Sequence, residues 1–262
     1  MTVNEATQTD RLPVQKRPGA GLLNRTQSES EHWTVESVVS AIEPRYEEHG
    51  KSPISFFHLL ERLKTTPRAG WLRFGIRHPE SISDHMYRMS ILTMMAPQSI
   101  SDKLNLDRCT KMALVHDMAE SLVGDITPVD PVSKEEKSRR EATTMDYIGN
   151  NLLGNYNRGL NGQQLRSLWQ EYEDSETPES LFVHDIDKVE LMLQMVEYER
   201  QTKCETDLGQ FTHVTLKIQS PEAKKWSDHI LWERLELWQS YGKVPTWDKD
   251  GVVKPAAKPE PW

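Results

Sequence analysis

From Thr34 to Trp238 the apolar residues return every three or four positions and nowhere alternate strictly with polar ones, which excludes a sheet and requires amphipathic helices. Punctuation residues divide this run. Thr34 stands as an N-cap before Val35, Val38, Val39 and Ile42, and Pro44 ends that helix. Pro53 leads into Phe56, Phe57, Leu59, Leu60 and Leu63, which stop near Pro67. Ser81 or Ser83 caps a helix with His85, Met86, Met89 and Leu92, and Pro97 lies just past its end. Asp107 or Thr110 opens a central helix that runs to about Leu122, with Gly124 as its stop. Ser133, with Glu136 three residues on, is a capping box that starts a helix with Ala142, Met145, Ile148 and Leu152 on one face. A turn-rich connection over 150–161 precedes Leu165, Leu168, Trp169 and Tyr172. Thr177-Pro178 and Ser220-Pro221 each set a cap before a first-turn proline; the two helices carry Leu181 to Val196 and Trp226 to Trp238 as their stripes. The expected fold class is all-α, a single helical bundle.

That bundle is expected over 33–244. Residues 1–32 lack sustained periodicity and include Pro13, Pro18, Gly19 and Gly21, the pattern of a flexible lead-in; 245–262 has the composition of a tail. The eight tryptophans argue against disorder over most of the length. A net charge of -8 supplies no general attraction to a nucleic-acid polymer or an anionic membrane, so neither is expected as a partner. No run approaches the roughly 18 apolar residues that span a bilayer. Cys109 and Cys204 lack CxxC spacing and read as reduced, structural thiols of an intracellular protein. The expected compartment is the cytoplasm, with the nucleus as alternative. Arg11, Lys16, Arg17 and Arg25 leave a mitochondrial reading, which Glu5, Asp10 and Glu29 oppose.

Chemistry concentrates in Ala113-Leu114-Val115-His116-Asp117-Met118-Ala119-Glu120, followed by Val123-Gly124-Asp125-Ile126. An apolar helix that delivers His116, Asp117 and Glu120, with Asp125 just past its glycine, buries charge, and a buried charge needs a partner or a metal. His116 and Asp117 point about 100° apart on a helix and can straddle one ion; Glu120 stacks one turn above His116. His85 and Asp187 are the remaining candidates; Asp187 lies between Ile186 and Val189 and is expected to point inward. Two imidazoles and two carboxylates suit Mn, Fe, Co, Ni or Zn in a site with open positions, not a structural zinc. The loop 68–79, with Arg68, Trp71, Arg73, Phe74 and Arg77, is longer and less polar than an idle connection. His184 is expected on a different face from Asp187.

The order His85, His116-Asp117, Asp187 resembles the metal-dependent phosphohydrolases of the HD-domain superfamily. Pro67-Arg-Ala-Gly-Trp71, Ser81-Ile-Ser-Asp-His-Met-Tyr-Arg88, Val123-Gly-Asp-Ile-Thr-Pro128, Lys134-Glu-Glu-Lys137 and Arg139-Arg-Glu141 are similar to the eukaryotic HD-domain 5'-deoxynucleotidases, over about 53–242. The resemblance implies hydrolysis of deoxyribonucleoside 5'-monophosphates to deoxynucleoside and phosphate, with a divalent cation (Mn, Co, Mg, Fe, Ni or Zn) as cofactor. It implies His85, His116, Asp117 and Asp187 as metal ligands. Glu120 and Asp125 match two further acidic positions, as catalytic residues or as ligands of a second metal, to which the Ile126 carbonyl could also reach. Arg68 would hold the phosphate and Trp71 would stand against the sugar. A homodimer is also implied, to which the Trp226-to-Trp238 helix could contribute. The alternatives are a broader HD phosphohydrolase acting on other nucleotides and a non-catalytic binding module of the same fold.

Overall fold

The computed structural model describes residues 33–247 together with 255, 258 and 259. The expected flexible lead-in, 1–32, and most of the expected tail lie outside the described residues. Among those described, no strand occurs, and the chain forms eleven α-helices. These are α1 (Val35–Ser40), α2 (Ile54–Thr65), α3 (Ala69–Leu72), α4 (Ile82–Met94), α5 (Gln98–Ser101), α6 (Leu106–Ala113), α7 (Glu120–Val123), α8 (Lys134–Tyr147), α9 (Leu160–Asp174), α10 (Pro178–Gln201) and α11 (Pro221–Ser240).

The starts follow side-chain chemistry. Thr34, Ser81, Ser133, Thr177 and Ser220 each accept a backbone N–H of the first turn, and Pro178 and Pro221 occupy the first turn of their helices. At Ser81 the box is closed by Asp84, whose carboxylate accepts from Ser81 N at 2.9 Å. The cap of α6 is Asn105, not Asp107 or Thr110: its side chain accepts from Arg108 N at 3.0 Å.

Helix α10 is the axis of the bundle. Phe182, Val183, Ile186, Val189, Met192, Met195 and Val196 are all buried and surround it, because α4, α6, α9 and α11 pack on different sides. The loop between α2 and α4 is pinned at its base. Arg68 N donates to Glu80 O at 3.0 Å and Ile82 N to Thr66 O at 3.0 Å, so Arg68 leaves the end of α2 beside the start of α4. Within that loop, Ala69–Leu72 is helical where an irregular connection was expected.

Several boundaries differ from the sequence-based expectation. The central helix does not continue to Leu122; α6 ends at Ala113 and the chain tightens over 114–119 before α7. There Val115, Met118 and Glu120 each donate to the carbonyl three residues back, a winding tighter than α. The region after α8 continues as a π-helical turn, Ile148–Leu152, before the turns begin, and a 3-10 segment, Gly209–Lys217, that periodicity did not reveal precedes α11. On α11, Ile230, Leu231, Leu235 and Trp238 are buried within the chain's own bundle, which removes most of that stripe from any dimer interface. The first residues of the expected tail touch the bundle. Thr246 N donates to Asp207 Oδ2 at 2.7 Å, Arg234 donates to Thr246 O at 2.7 Å, and Trp247 lies over the Arg234 guanidinium.

Candidate metal centre and cleft

His85 enters the site from the first turn of α4, His116 and Asp117 from the tightened turn after α6, and Asp187 from the middle of α10. Both imidazoles are held by their far nitrogen. His85 Nδ1 is 2.5 Å from Glu190 Oε2, and His116 Nδ1 is 3.0 Å from Ala113 O. These acceptors assign the proton to Nδ1 in each neutral ring and leave both Nε2 lone pairs free to bind. Ligand atoms of His85, His116 and Asp187 lie within 4.8 Å of one another. Asp117 Oδ2 is 3.2 Å from His116 Nε2 and 3.8 Å from His85 Nε2. The four residues expected as ligands therefore share one locus.

The donor set fits a divalent cation. His85 Nε2 is buried and, although 3.2 Å from Asp187 Oδ1, makes no hydrogen bond. A bare ring nitrogen converging with carboxylate oxygens is the arrangement a metal ion completes, and the mix of imidazole and carboxylate favours a first-row ion. The electrostatics point the same way. Burial and the Arg68 guanidinium disfavour a charged His85, yet Glu190 and Asp187 push its pKa up to about 10. Burial opposes ionisation of Asp117, but His116, then Arg68 and His85, hold it well below the usual carboxylate range. Asp187 is lowered likewise, against burial, by His85, His116 and Arg68. Excess negative charge is thus kept where a cation can take the proton's place.

Glu120 and Asp125 stand beside this cluster and not in it. Glu120 is 3% exposed and its Oε2 lacks a hydrogen-bond partner; burial, then Asp117 and Asp125, raise its pKa well above the usual value. Gly124, at φ 79°, ends α7 and turns Asp125 back toward Arg68, where its Oδ2 accepts from Ala69 N at 2.6 Å. Arg68 Nη1 contacts Asp117 Oδ2 at 3.0 Å. The Ile126 carbonyl is engaged by Lys137 Nζ at 3.1 Å and so is not bare toward an ion.

Of these groups, Arg68, His116, Asp117, Glu120, Asp125, Ile126, Lys137 and Asp187 line one cleft of about 680 Å³, while the buried His85 and Glu190 do not. Trp71 lines it too, but only 3% of its surface is accessible, and its indole N–H donates to Glu80 Oε1 at 2.9 Å. His184 is outside: it stacks on Tyr172 and hydrogen bonds to Ser175 Oγ at 2.7 Å. Sequence reasoning gave no role to Glu190, the buried carboxylate behind His85, although its place one turn after Asp187 in an apolar helix was a signal. It also missed Phe211, which lines the cleft from the 3-10 segment, where no periodic pattern marks it.

The profile of the HD-domain family matches residues 60–226, which contain every candidate ligand. The chain belongs to the HD-domain family. Within this HD domain, the paired His116-Asp117 lies at the tightened turn after α6. Named relatives include 5'-deoxynucleotidase hdd1 of Schizosaccharomyces pombe, 51% identical over 189 residues, covering 72% of this chain and 93% of that one. A second, 5'-deoxynucleotidase YBR242W of Saccharomyces cerevisiae, is 41% identical over 208 residues, covering 77% and 84%. Among solved structures, HD domain-containing protein YGK1 superposes with a TM-score of 0.56 at 31% identity, covering 78% of this HD-domain chain and 94% of that one.

Proposed function

We propose that the chain is a divalent-metal-dependent 5'-deoxynucleotidase that hydrolyses deoxyribonucleoside 5'-monophosphates to deoxynucleoside and phosphate. The observation that carries this is the convergence of the His85 and His116 Nε2 atoms with Asp117 and Asp187 beside the Arg68 guanidinium, in a cleft of mononucleotide size. The names of the relatives support it. In this reading His85, His116, Asp117 and Asp187 hold the cation. When bound, the cation supplies Lewis-acid activation of the phosphoryl group and lowers the pKa of water.

The chain's own groups do the rest. Arg68 offers a planar fork to the phosphoryl oxygens and balances the charge that develops on them. Glu120 Oε2, with no partner within the protein, takes the proton from the attacking water as the new P–O bond forms. Asp125 holds the backbone that carries Arg68, and the proton taken up by Glu120 is returned to the leaving 5'-oxygen as the old P–O bond breaks. Trp71 closes the wall beside the sugar. A homodimer would cover the exposed Tyr87, Ile91 and Met94 of α4 and Met95 just past its end; sedimentation tests that state. In this reading the chain resides in the cytoplasm, with the nucleus as alternative, and imaging of the tagged chain tests it.

The activity is tested by phosphate release from a panel of deoxyribonucleotides and ribonucleotides with added Mn or Co. Turnover of dAMP well above AMP, abolished by a chelator, is the expected result. Chelator-resistant activity, equal turnover of ribonucleotides, or preference for triphosphates or cyclic nucleotides would overturn it.

A further inference from the structure

Three aromatic side chains among the described residues line the cleft: Trp71, Tyr172 and Phe211. Tyr172 has its ring between those of His116 at 4.8 Å and His184 at 3.9 Å, and is buried. Trp71 is covered by Tyr198 at 5.3 Å and Phe211 at 4.7 Å, and its N–H is spent on Glu80. Phe211 differs. It is half-buried and packs on Trp71 and on Phe74 at 5.0 Å.

The backbone under Phe211 is fixed. Its N–H donates to Leu208 O at 2.9 Å, and Leu208 N donates in turn to the buried Glu199 at 2.9 Å. At Gly209 a Cβ would lie 2.2 Å from Thr246 O, so only glycine admits the strap that crosses there. The half-buried Leu191, one turn along α10 from Asp187, lines the same cleft. One turn is roughly 5.4 Å of rise, on the order of the span of a furanose ring. Leu191 therefore stands about one sugar's span along α10 from Asp187, the carboxylate assigned to the cation that would take the phosphate end.

We infer that Phe211, extended by Leu191, is a base-stacking subsite that takes the flat face of the purine or pyrimidine of a nucleoside monophosphate. This rests on the reading of the cleft as a phosphomonoester site. Recognition through a ring face is tolerant of base identity, because every base presents a π-surface. The subsite thus contributes affinity for nucleotides over sugar phosphates and little choice among bases.

The test compares dAMP with deoxyribose 5-phosphate, which lacks the base. Dissociation constants are measured with Mn by calorimetry in a Glu120→Ala background, so that turnover does not consume the ligand, and phosphate release is measured separately on the otherwise native chain. The preference for dAMP is expected to fall about ten-fold in Phe211→Ala, the order of a base–aromatic contact, and to be kept in Phe211→Tyr. Phe211→Leu, which fills the same apolar space without a π-face, should lose most of the preference and guards against a packing defect in the alanine variant. An unchanged preference in both variants overturns the inference. So does an unmodified Phe211 chain that binds dAMP no better than the sugar phosphate, or binds neither. A base-dependent loss in Gln170→Ala with Phe211→Ala neutral places the base on the opposite wall and also overturns it. Failure of the nucleotidase reading looks different: dAMP is bound through Phe211 and no phosphate is released.

Discussion

His85 and Glu190 form a pair with no solvent exposure on either side chain, the imidazole Nδ1 standing 2.5 Å from the carboxylate Oε2. Arg88 Nε grips the other oxygen of Glu190 at 2.7 Å, and its two outer nitrogens reach Glu197 and Gln194. The carboxylate orients the ring and raises its basicity as a ligand, while Arg88 keeps the carboxylate ionised and in place. Glu190→Gln is expected to weaken divalent-metal binding by roughly 10- to 100-fold with the fold intact. Metal titration by calorimetry measures this; an unchanged affinity would remove Glu190 from the metal's support.

Replacing His116 by Ala should abolish both metal content and turnover. Glu120→Ala should retain the metal at the His85–His116–Asp187 cluster and lose about 100- to 10,000-fold in rate, the range of a general base. Elemental analysis beside phosphate release separates the two. Loss of the metal in Glu120→Ala would make Glu120 a ligand and not a proton carrier.

Arg68 carries two duties, phosphate binding and the 3.0 Å contact to Asp117. Arg68→Ala is expected to lower kcat/KM by about 100- to 1,000-fold. Arg68→Lys restores the charge but not the planar fork, and should recover only part of the loss. Full recovery by lysine would mean that a point charge suffices there.

Metal removal should be visible without any substrate. A cation that binds the folded chain alone adds about 2.7 kcal/mol when present at 100 times its Kd. Thermal melting with and without Mn should show the shift in the native chain, and His116→Ala should lack it. A shift of equal size in that variant would place the bound ion elsewhere.

A second prediction about stability concerns Arg234 and Glu199, both fully buried, joined by two contacts of 2.9 Å. Trp238 Nε1 and Leu208 N donate to the same carboxylate. Glu199→Ala strands the guanidinium and should cost about 3–5 kcal/mol. Denaturant unfolding measures it; a loss below about 1 kcal/mol would mean that Asp207 and Thr246 alone satisfy Arg234.

Helix starts were the most legible features because a cap is a local device: Ser81, Ser133, Thr177 and Ser220 each bond an N–H three residues on. The end of α6 was not legible. Apolar residues run unbroken through Val115 and Met118, so the pattern reads as one helix, yet the backbone tightens just where His116 and Asp117 must face one point. The His and Asp residues of the cluster were readable as buried charge without a local partner. Glu190 and Phe211 were not, since their value depends on what packs opposite them.

By itself, then, the sequence determined an all-helical chain, the places where most helices begin, and a set of metal-ligating residue types too costly to bury without an ion. Spacing along one segment settles those matters, because capping and periodicity act over three or four residues. Only the tertiary structure decided that α4, the turn after α6, and α10 bring His85, His116, Asp117 and Asp187 to one locus. It alone placed Glu190 behind the first ligand and Phe211 along the cleft. These contacts join residues as far apart in sequence as His85 and Glu190 or Trp71 and Phe211, and no local preference encodes them. They follow from how the stripes of α10 are shared among the helices that bury it.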